Sequence, residues 1–133
     1  MVLVDTHVLL WVAQGSARLG PVARRLIDRA SGSGQACVSA ISFWEVALLA
    51  ERGRIALGAD PDRFRADALA GGFRECPLTG EIAVRGAALR GLHPDPADRF
   101  IVASAIVNGA TLVTADERLL AWRHRLKRHD AGR

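Results

Sequence analysis

Asp95-Pro96-Ala97-Asp98-Arg99-Phe100-Ile101-Val102-Ala103-Ser104-Ala105 is the stretch from which the fold can be read. Asp95 suits an N-cap, Pro96 suits the first helical position, and Asp98 falls in the first turn, where unpaired N–H groups and the helix dipole favour negative charge. Beyond Arg99 the run is almost wholly apolar as far as Asn108-Gly109, a C-terminal capping signal. A helix apolar around most of its circumference is buried. This one keeps its charge at its start, so its acids face something other than the core. Capping alone also accounts for a D-x-x-D pattern, and Asp95 and Arg99 stand four apart in the order that suits a surface ion pair. The choice between cap and chemistry turns on whether other carboxylates reach the same point.

Working outward, Ala110 to Thr114 reads as a strand that stops at Ala115-Asp116, with a short helix following to about Trp122. Upstream, the spacing of Ile82, Val84, Ala87, Ala88 and Leu89 predicts a helix from Thr79 to about Leu92. At the other end of the chain, Val2-Leu3-Val4 is a short buried-strand pattern that stops at Asp5-Thr6 and gives way to a helical pattern over His7 to Val12. Pro21 to Ala30 forms an amphipathic helix ended by Ser31-Gly32-Ser33-Gly34. Ala36 to Ser39 is a second strand, followed by a helix from about Phe43 to Arg52. Asp60-Pro61 repeats the cap-then-proline signature for a helix to about Leu69, closed by Gly71-Gly72. Phe73 to Leu78 is a weaker strand that Pro77 confines to a sheet edge or a strand end. The tail 123–133, with Arg123, Arg125, Lys127 and Arg128 and little apolar content, predicts a last edge strand or partial disorder. Strands alternating with helices imply an α/β fold of three layers, α/β/α, around a central parallel sheet of four or five strands. No repeat or linker divides the chain, and its length fits one domain over 1–133.

Half of the residues are hydrophobic, which excludes a disordered chain. No apolar run approaches the roughly 20 residues of a membrane span, and Asp5 stands where a secretory signal has basic residues and a long apolar core. The expectation is a cytoplasmic protein with no membrane partner. Cys37 and Cys76 lie in apolar surroundings without a C-x-x-C pair, which suits buried thiols better than a disulfide or a zinc site. Net charge is +4, and Lys127 is the single lysine among 18 basic residues. Arginine's planar fork suits phosphate, so a polyanion partner is one reading; a compositional bias toward arginine explains the same count.

The carboxylates decide between these readings. Asp5 follows the first strand and Asp116 follows the strand Ala110 to Thr114, which places both at the carboxyl edge of a parallel sheet, where such folds bind ligands. The Asp98 helix leads into that second strand and runs antiparallel to it, so its N-terminus reaches the same edge. Glu45 follows the strand ending at Ser39 and sits above that edge on the first turn of its helix, where Ser42-x-x-Glu45 also reads as a capping box. Carboxylates crowded into one pocket repel one another unless a cation compensates. With no Cys or His cluster, oxygen ligands favour Mg2+ or Mn2+ over zinc, and metal-assisted hydrolysis of a phosphodiester follows. One ion and two are both compatible with this set.

Asp5-Thr6-His7-Val8-Leu9-Leu10-Trp11, Ser42-Phe43-Trp44-Glu45, Asp95-Pro96-Ala97-Asp98-Arg99-Phe100-Ile101-Val102-Ala103 and Thr114-Ala115-Asp116 resemble the successive motifs of PIN domains, in particular the VapC-type toxins of bacterial toxin–antitoxin pairs. The resemblance covers residues 2 to about 120. It implies a PIN fold and an Mg2+- or Mn2+-dependent endoribonuclease with Asp5, Glu45, Asp98 and Asp116 as an acidic quartet. It further implies Thr6, Ser42 and Thr114 as polar pocket residues, Asp95 as an auxiliary carboxylate, an RNA substrate, a homodimer, and a small VapB-type antitoxin as partner. The short basic segment after Trp122 departs from the family, which commonly has a final strand there.

Other readings fare less well. A receiver-type phospho-acceptor domain also gathers acids and a threonine at a sheet edge, but needs a lysine there, and Lys127 lies in the tail. A metal-free RNA-binding module would not need all four acids. Ser39 and Ser42 have no His–Asp relay for nucleophilic chemistry. His7 reads as a packed residue, and His93, His124 and His129 have no partner at ligand spacing. Trp11 and Trp44 read as core.

Overall fold

A computed structural model describes residues 1–133. Its centre is a five-stranded sheet in the order β3-β2-β1-β4-β5, formed by β1 (Val2–Val4), β2 (Ala36–Ser39), β3 (Phe73–Cys76), β4 (Thr111–Thr114) and β5 (Arg128–Asp130). Every pairing is parallel. The helices are α1 (Thr6–Gln14), α2 (Pro21–Gly32), α3 (Ala40–Glu51), α4 (Pro61–Ala70), α5 (Gly80–Ala88), α6 (Pro96–Val107) and α7 (Glu117–Ala121). A parallel sheet covered on both faces needs strands apolar on both sides, and β1 is buried along its length. Val2 and Val4 join a core with Leu9, Ile27 and Phe64 from α1, α2 and α4. Leu3 points the other way, into a core with Ile101, Leu112 and Leu119 that α6 and α7 cover. The result is the three-layer α/β/α arrangement that the alternation of elements predicts.

Differences from the sequence reading lie at boundaries and edges. The tail does form a strand: β5 pairs with β4 through Leu112–Arg128 to Thr114–Asp130. Its three residues are all half-buried, as befits an edge, so no apolar pattern advertises them. The tail's end is docked against α2, since Gly20 donates to the Ala131 carbonyl at 2.8 Å and Val22 donates to that of Arg133 at 2.9 Å. A Cβ at Gly20 would fall 2.1 Å from the Arg133 backbone, so this close approach requires glycine. β3 stops one residue short of Pro77 and lies at the sheet edge, as a proline demands.

The helix predicted to reach Leu92 ends at Ala88, where Leu89 turns extended. Arg99 explains the shorter end. Its guanidinium donates to the carbonyls of Gly86, Leu89 and Leu92 at 2.9, 3.1 and 2.7 Å and, through Nε, to that of His93 at 3.0 Å. These include carbonyls that a helix C-terminus leaves without partners. The expected Asp95–Arg99 ion pair is therefore absent, because Arg99 is turned inward and spent on the backbone. Gly86 lets α5 approach α6 closely, since a Cβ there would meet Phe100 Cδ1 at 3.3 Å and the Arg99 carbonyl at 3.4 Å. Replacing Arg99 by Met keeps much of the side chain's bulk but removes all four bonds. Hydrogen bonds from charged donors are worth about 1.5–3 kcal/mol when buried, and water can replace part of this set, so Arg99→Met is expected to cost about 2–4 kcal/mol in urea unfolding. A loss under about 0.5 kcal/mol would show that Arg99 does not hold the 89–95 loop.

Candidate active site

The carboxyl edge of the sheet carries a cavity of about 300 Å³ whose lining includes Asp5, Thr6, Glu45, Asp95, Asp98 and Asp116. Strand ends and helix starts bring them there. Asp5 follows β1 directly and caps α1, its Oδ1 accepting the Val8 N–H at 2.9 Å. Its Oδ2 accepts the Thr114 hydroxyl from the end of β4, and Thr114 Oγ1 accepts the Asp116 N–H at 3.0 Å. One buried threonine thus ties together the two acids that leave neighbouring strands. Asp116 caps α7 by accepting the Arg118 N–H at 2.8 Å. On α6, Asp95 is the N-cap, accepting the Ala97 N–H at 3.1 Å, and Asp98 stands in the first turn.

Glu45 arrives differently from the sequence reading. The N-cap of α3 is Ser39, whose side chain accepts the Ile41 N–H at 3.2 Å, so the helix starts earlier and no Ser42–Glu45 capping box forms. Ser42 is instead fully buried and hydrogen-bonded to Thr6 Oγ1 at 2.9 Å, and Glu45 lies one turn further along, with Oε1 held by the same Thr6 hydroxyl. The glutamate is thereby released from capping and presented to the cavity. Ser42 and Thr114 stand behind the lining residues rather than among them.

Two aromatic assignments and two histidines also need correction. His7 is exposed and lines the acidic cavity rather than packing into the core, because it starts the outer face of α1. Trp44 is 57% exposed, because the inward face of α3 is set by Ser42 and Val46 and residue 44 falls on the opposite side. Trp11 is half-buried and lines the acidic cavity. His93 has a partner after all: its Nε2 lies 2.7 Å from Asp98 Oδ2. One ligand atom from each of His93, Asp98 and Asp116 falls within 4.8 Å of the others. His93 precedes the helix by three residues, and a folded-back Pro/Asp turn gives it no regular spacing to Asp98, which is why sequence pattern passed over it. Its Nδ1 is buried without a hydrogen-bond partner.

The acids do not share one electrostatic environment. Burial pushes the Asp5 carboxyl above its ordinary range, against the opposing bonds from Thr114 and Val8. Burial likewise raises Glu45 and Asp98, with Asp95 adding repulsion to both. For Asp116 burial is outweighed by the Arg118 guanidinium and N–H, which hold it below its ordinary range. Arg118 Nη2 sits 3.0 Å from Asp116 Oδ2 and 3.7 Å from Asp98 Oδ2. It is the only arginine or lysine lining the cavity. Several carboxylates that burial forces toward protonation, with the His93 imidazole against Asp98 and that of His7 in the lining, form an oxygen-rich donor set that suits a hard divalent cation.

Residues 2–123 match the PIN domain family, and the chain belongs to that family. It groups there with VapC proteins: it is 41% identical over 124 residues, 92% of each chain, to the ribonuclease VapC22 of Mycobacterium tuberculosis. Two solved structures share the fold. One is VapBC2 from Rickettsia felis bound to a DNA fragment from its promoter, with a TM-score of 0.71 at 14% identity, covering 97% of this chain and 98% of that one. The other is a toxin–antitoxin complex from Klebsiella pneumoniae, with a TM-score of 0.67 at 23% identity, covering 92% and 93%.

The opposite shifts of Asp98 and Asp116 give opposite signs in stability. A carboxyl raised in the folded state opposes folding once ionised, so its penalty is absent below its ordinary value and grows as pH rises through the raised one. In chelator, Asp98→Asn is therefore expected to gain on the wild type as pH goes from about 4 to about 7. Asp116 is lowered, so its contribution is present above the ordinary value and lost as pH falls; Asp116→Asn is expected to fall behind the wild type over the same rise. Urea unfolding of the three proteins at both pH values checks the signs, and equal slopes for the two variants would contradict the assignment.

Proposed function

We propose that the protein is a metal-dependent endoribonuclease, the toxin of a VapC-type toxin–antitoxin pair, working in the cytoplasm on RNA. The observation that carries this reading is the convergence of Asp5, Glu45, Asp98 and Asp116 on one cavity of a PIN-family chain. Asp5, Asp98 and Asp116, with Glu45 beside them, would hold Mg2+ or Mn2+, and the imidazole of His93 tilts the set somewhat toward Mn2+. A divalent cation, when bound, lowers the pKa of an attacking water and neutralises charge on the scissile phosphate.

The chain's own residues supply positioning and proton handling. Thr114 fixes Asp5 against Asp116, and His93 fixes Asp98, so these carboxylates keep their orientation as substrate enters. Glu45 is held at Oε1 by Thr6, which leaves Oε2 to take a proton from the water. Its raised affinity for a proton suits that role. Asp95 remains at the rim as an auxiliary negative charge. Arg118 lies against Asp98 and Asp116 and offsets part of their charge.

For partners, the reading includes a VapB-type antitoxin and a homodimer. The antitoxin's C-terminal segment would occupy the groove that holds the acids. No helix is long and apolar enough to cross a membrane.

Purified protein is expected to cleave single-stranded RNA only with Mg2+ or Mn2+, leaving 5′-phosphate and 3′-hydroxyl ends, the products of attack by water with the 3′ oxygen as leaving group. Asp98→Asn is expected to lower the rate at least about 100-fold while far-UV circular dichroism is kept. Chelator-resistant cleavage that leaves cyclic phosphates would overturn the assignment.

A further inference from the structure

Beside the acidic cavity lies a shallow groove of about 380 Å³ lined by Arg90, Gly91, Arg118, Ala121, Trp122 and Arg123. We propose that this groove is the track for the phosphodiester backbone of RNA on one side of the scissile bond, a proposal that rests on the nuclease reading above. No carboxylate lines the groove, and three of its six residues are arginines.

Arg118 belongs to both hollows. It therefore marks the one place where the acids and a strip of positive charge are continuous. A phosphate chain repelled by carboxylates on most of the cavity rim has an attractive way out there.

The groove is built rather than incidental. Trp122 is buried, its Nε1 donating to the Arg90 carbonyl at 2.9 Å, which ties the loop after α5 to the end of α7. The indole is further held by His124, stacked at 4.3 Å with the rings 3° from parallel. Gly91 turns the loop at φ 72°. On this fixed floor the guanidinium groups of Arg90 and Arg123 are exposed, and neither has an acidic partner or makes a hydrogen bond. By contrast, Arg63, Arg65 and Arg133 are each engaged by a carboxylate. Free guanidinium groups are what backbone phosphates need, since their planar fork donates to two oxygens at once. An acidic protein segment would find the same charge, but it gains nothing from a groove that opens onto a cavity of carboxylates.

The test uses the full chain carrying Asp98→Asn, so that RNA is bound without being cut, and follows the anisotropy of a fluorescein-labelled single-stranded 12-nucleotide RNA across about 50–300 mM NaCl. Adding Arg90→Ala and Arg123→Ala is expected to weaken binding about tenfold and to make the slope of log K against log salt shallower by about 1.4, since each lost phosphate contact on a single strand removes about 0.7. Arg25→Ala with Arg29→Ala removes the same charge from exposed positions on α2, across the sheet, and is expected to leave the slope within about 0.3 of the parent. Thermal melts of all three proteins confirm that the fold is kept. Equal slopes for the two double replacements overturn the proposal, as does loss of binding to a poly-glutamate peptide with RNA binding retained. If the wild type cleaves RNA while the groove variant binds as its parent does, the groove proposal falls alone. If the wild type cleaves no RNA with either metal, the nuclease reading falls and takes the groove with it.

Discussion

The pairing of β1 with β4 is the constraint on which the rest of the acidic cavity depends. Its register places Val4 opposite Val113, and the next N–H along, that of Asp5, donates to the Val113 carbonyl at 3.1 Å. That step brings the Asp5 carboxylate onto the Thr114 hydroxyl and sets Asp116 two residues further along the same edge. A slip of one residue would turn Asp5 or Thr114 to the other face of the sheet and separate them. Because both strands are buried on both faces, such a slip would also drive Leu3 and Leu112, entirely inaccessible where they stand, out of their own core and into the opposite one. The hydrophobic register and the polar one are the same register.

Around that pair the fold spends local backbone geometry on holding charge. Asp5, Asp95 and Asp116 each cap a helix with one carboxylate oxygen, which ties them to α1, α6 and α7 without using up the second oxygen of each carboxylate on the same bond. Capping a helix and lining the cavity, which compete as readings of the sequence, coexist in the structure. Arg99 contributes from the other side. By gathering four carbonyls of the 86–93 segment it fixes the loop that presents His93 to Asp98. The same loop carries Arg90, so the position of the arginine groove and that of the Asp98 carboxylate depend on one half-buried guanidinium.

The charge pattern is the opposite of what average composition suggests. The chain is basic overall, yet its main polar cavity is acidic, with Arg118 alone bridging to the basic groove beside it. Burial raises three of the acids, and only Asp116, paired with Arg118, stays below its ordinary range. A site arranged in this way is electrostatically unfinished by itself, which is what a cation-dependent reaction on a polyanion would require.

Sequence alone determined the elements whose signals are local: the capped, apolar α6, the buried strands β1 and β4, and the acids that follow them. These could be read because helix caps and strand hydrophobicity depend on neighbours within a few residues. Tertiary structure decided what depends on partners distant in the chain. β5 exists because β4 offers it an edge, not because Arg128-His129-Asp130 favour a strand. Ser42 is buried against Thr6 rather than capping, because α3 starts at Ala40. His93 joins Asp98 and Arg99 leaves Asp95 for the backbone because the loop before α6 folds back on it, and Arg118 reaches Asp98 because α7 and α6 start at the same sheet edge, at distances that no spacing along the chain records.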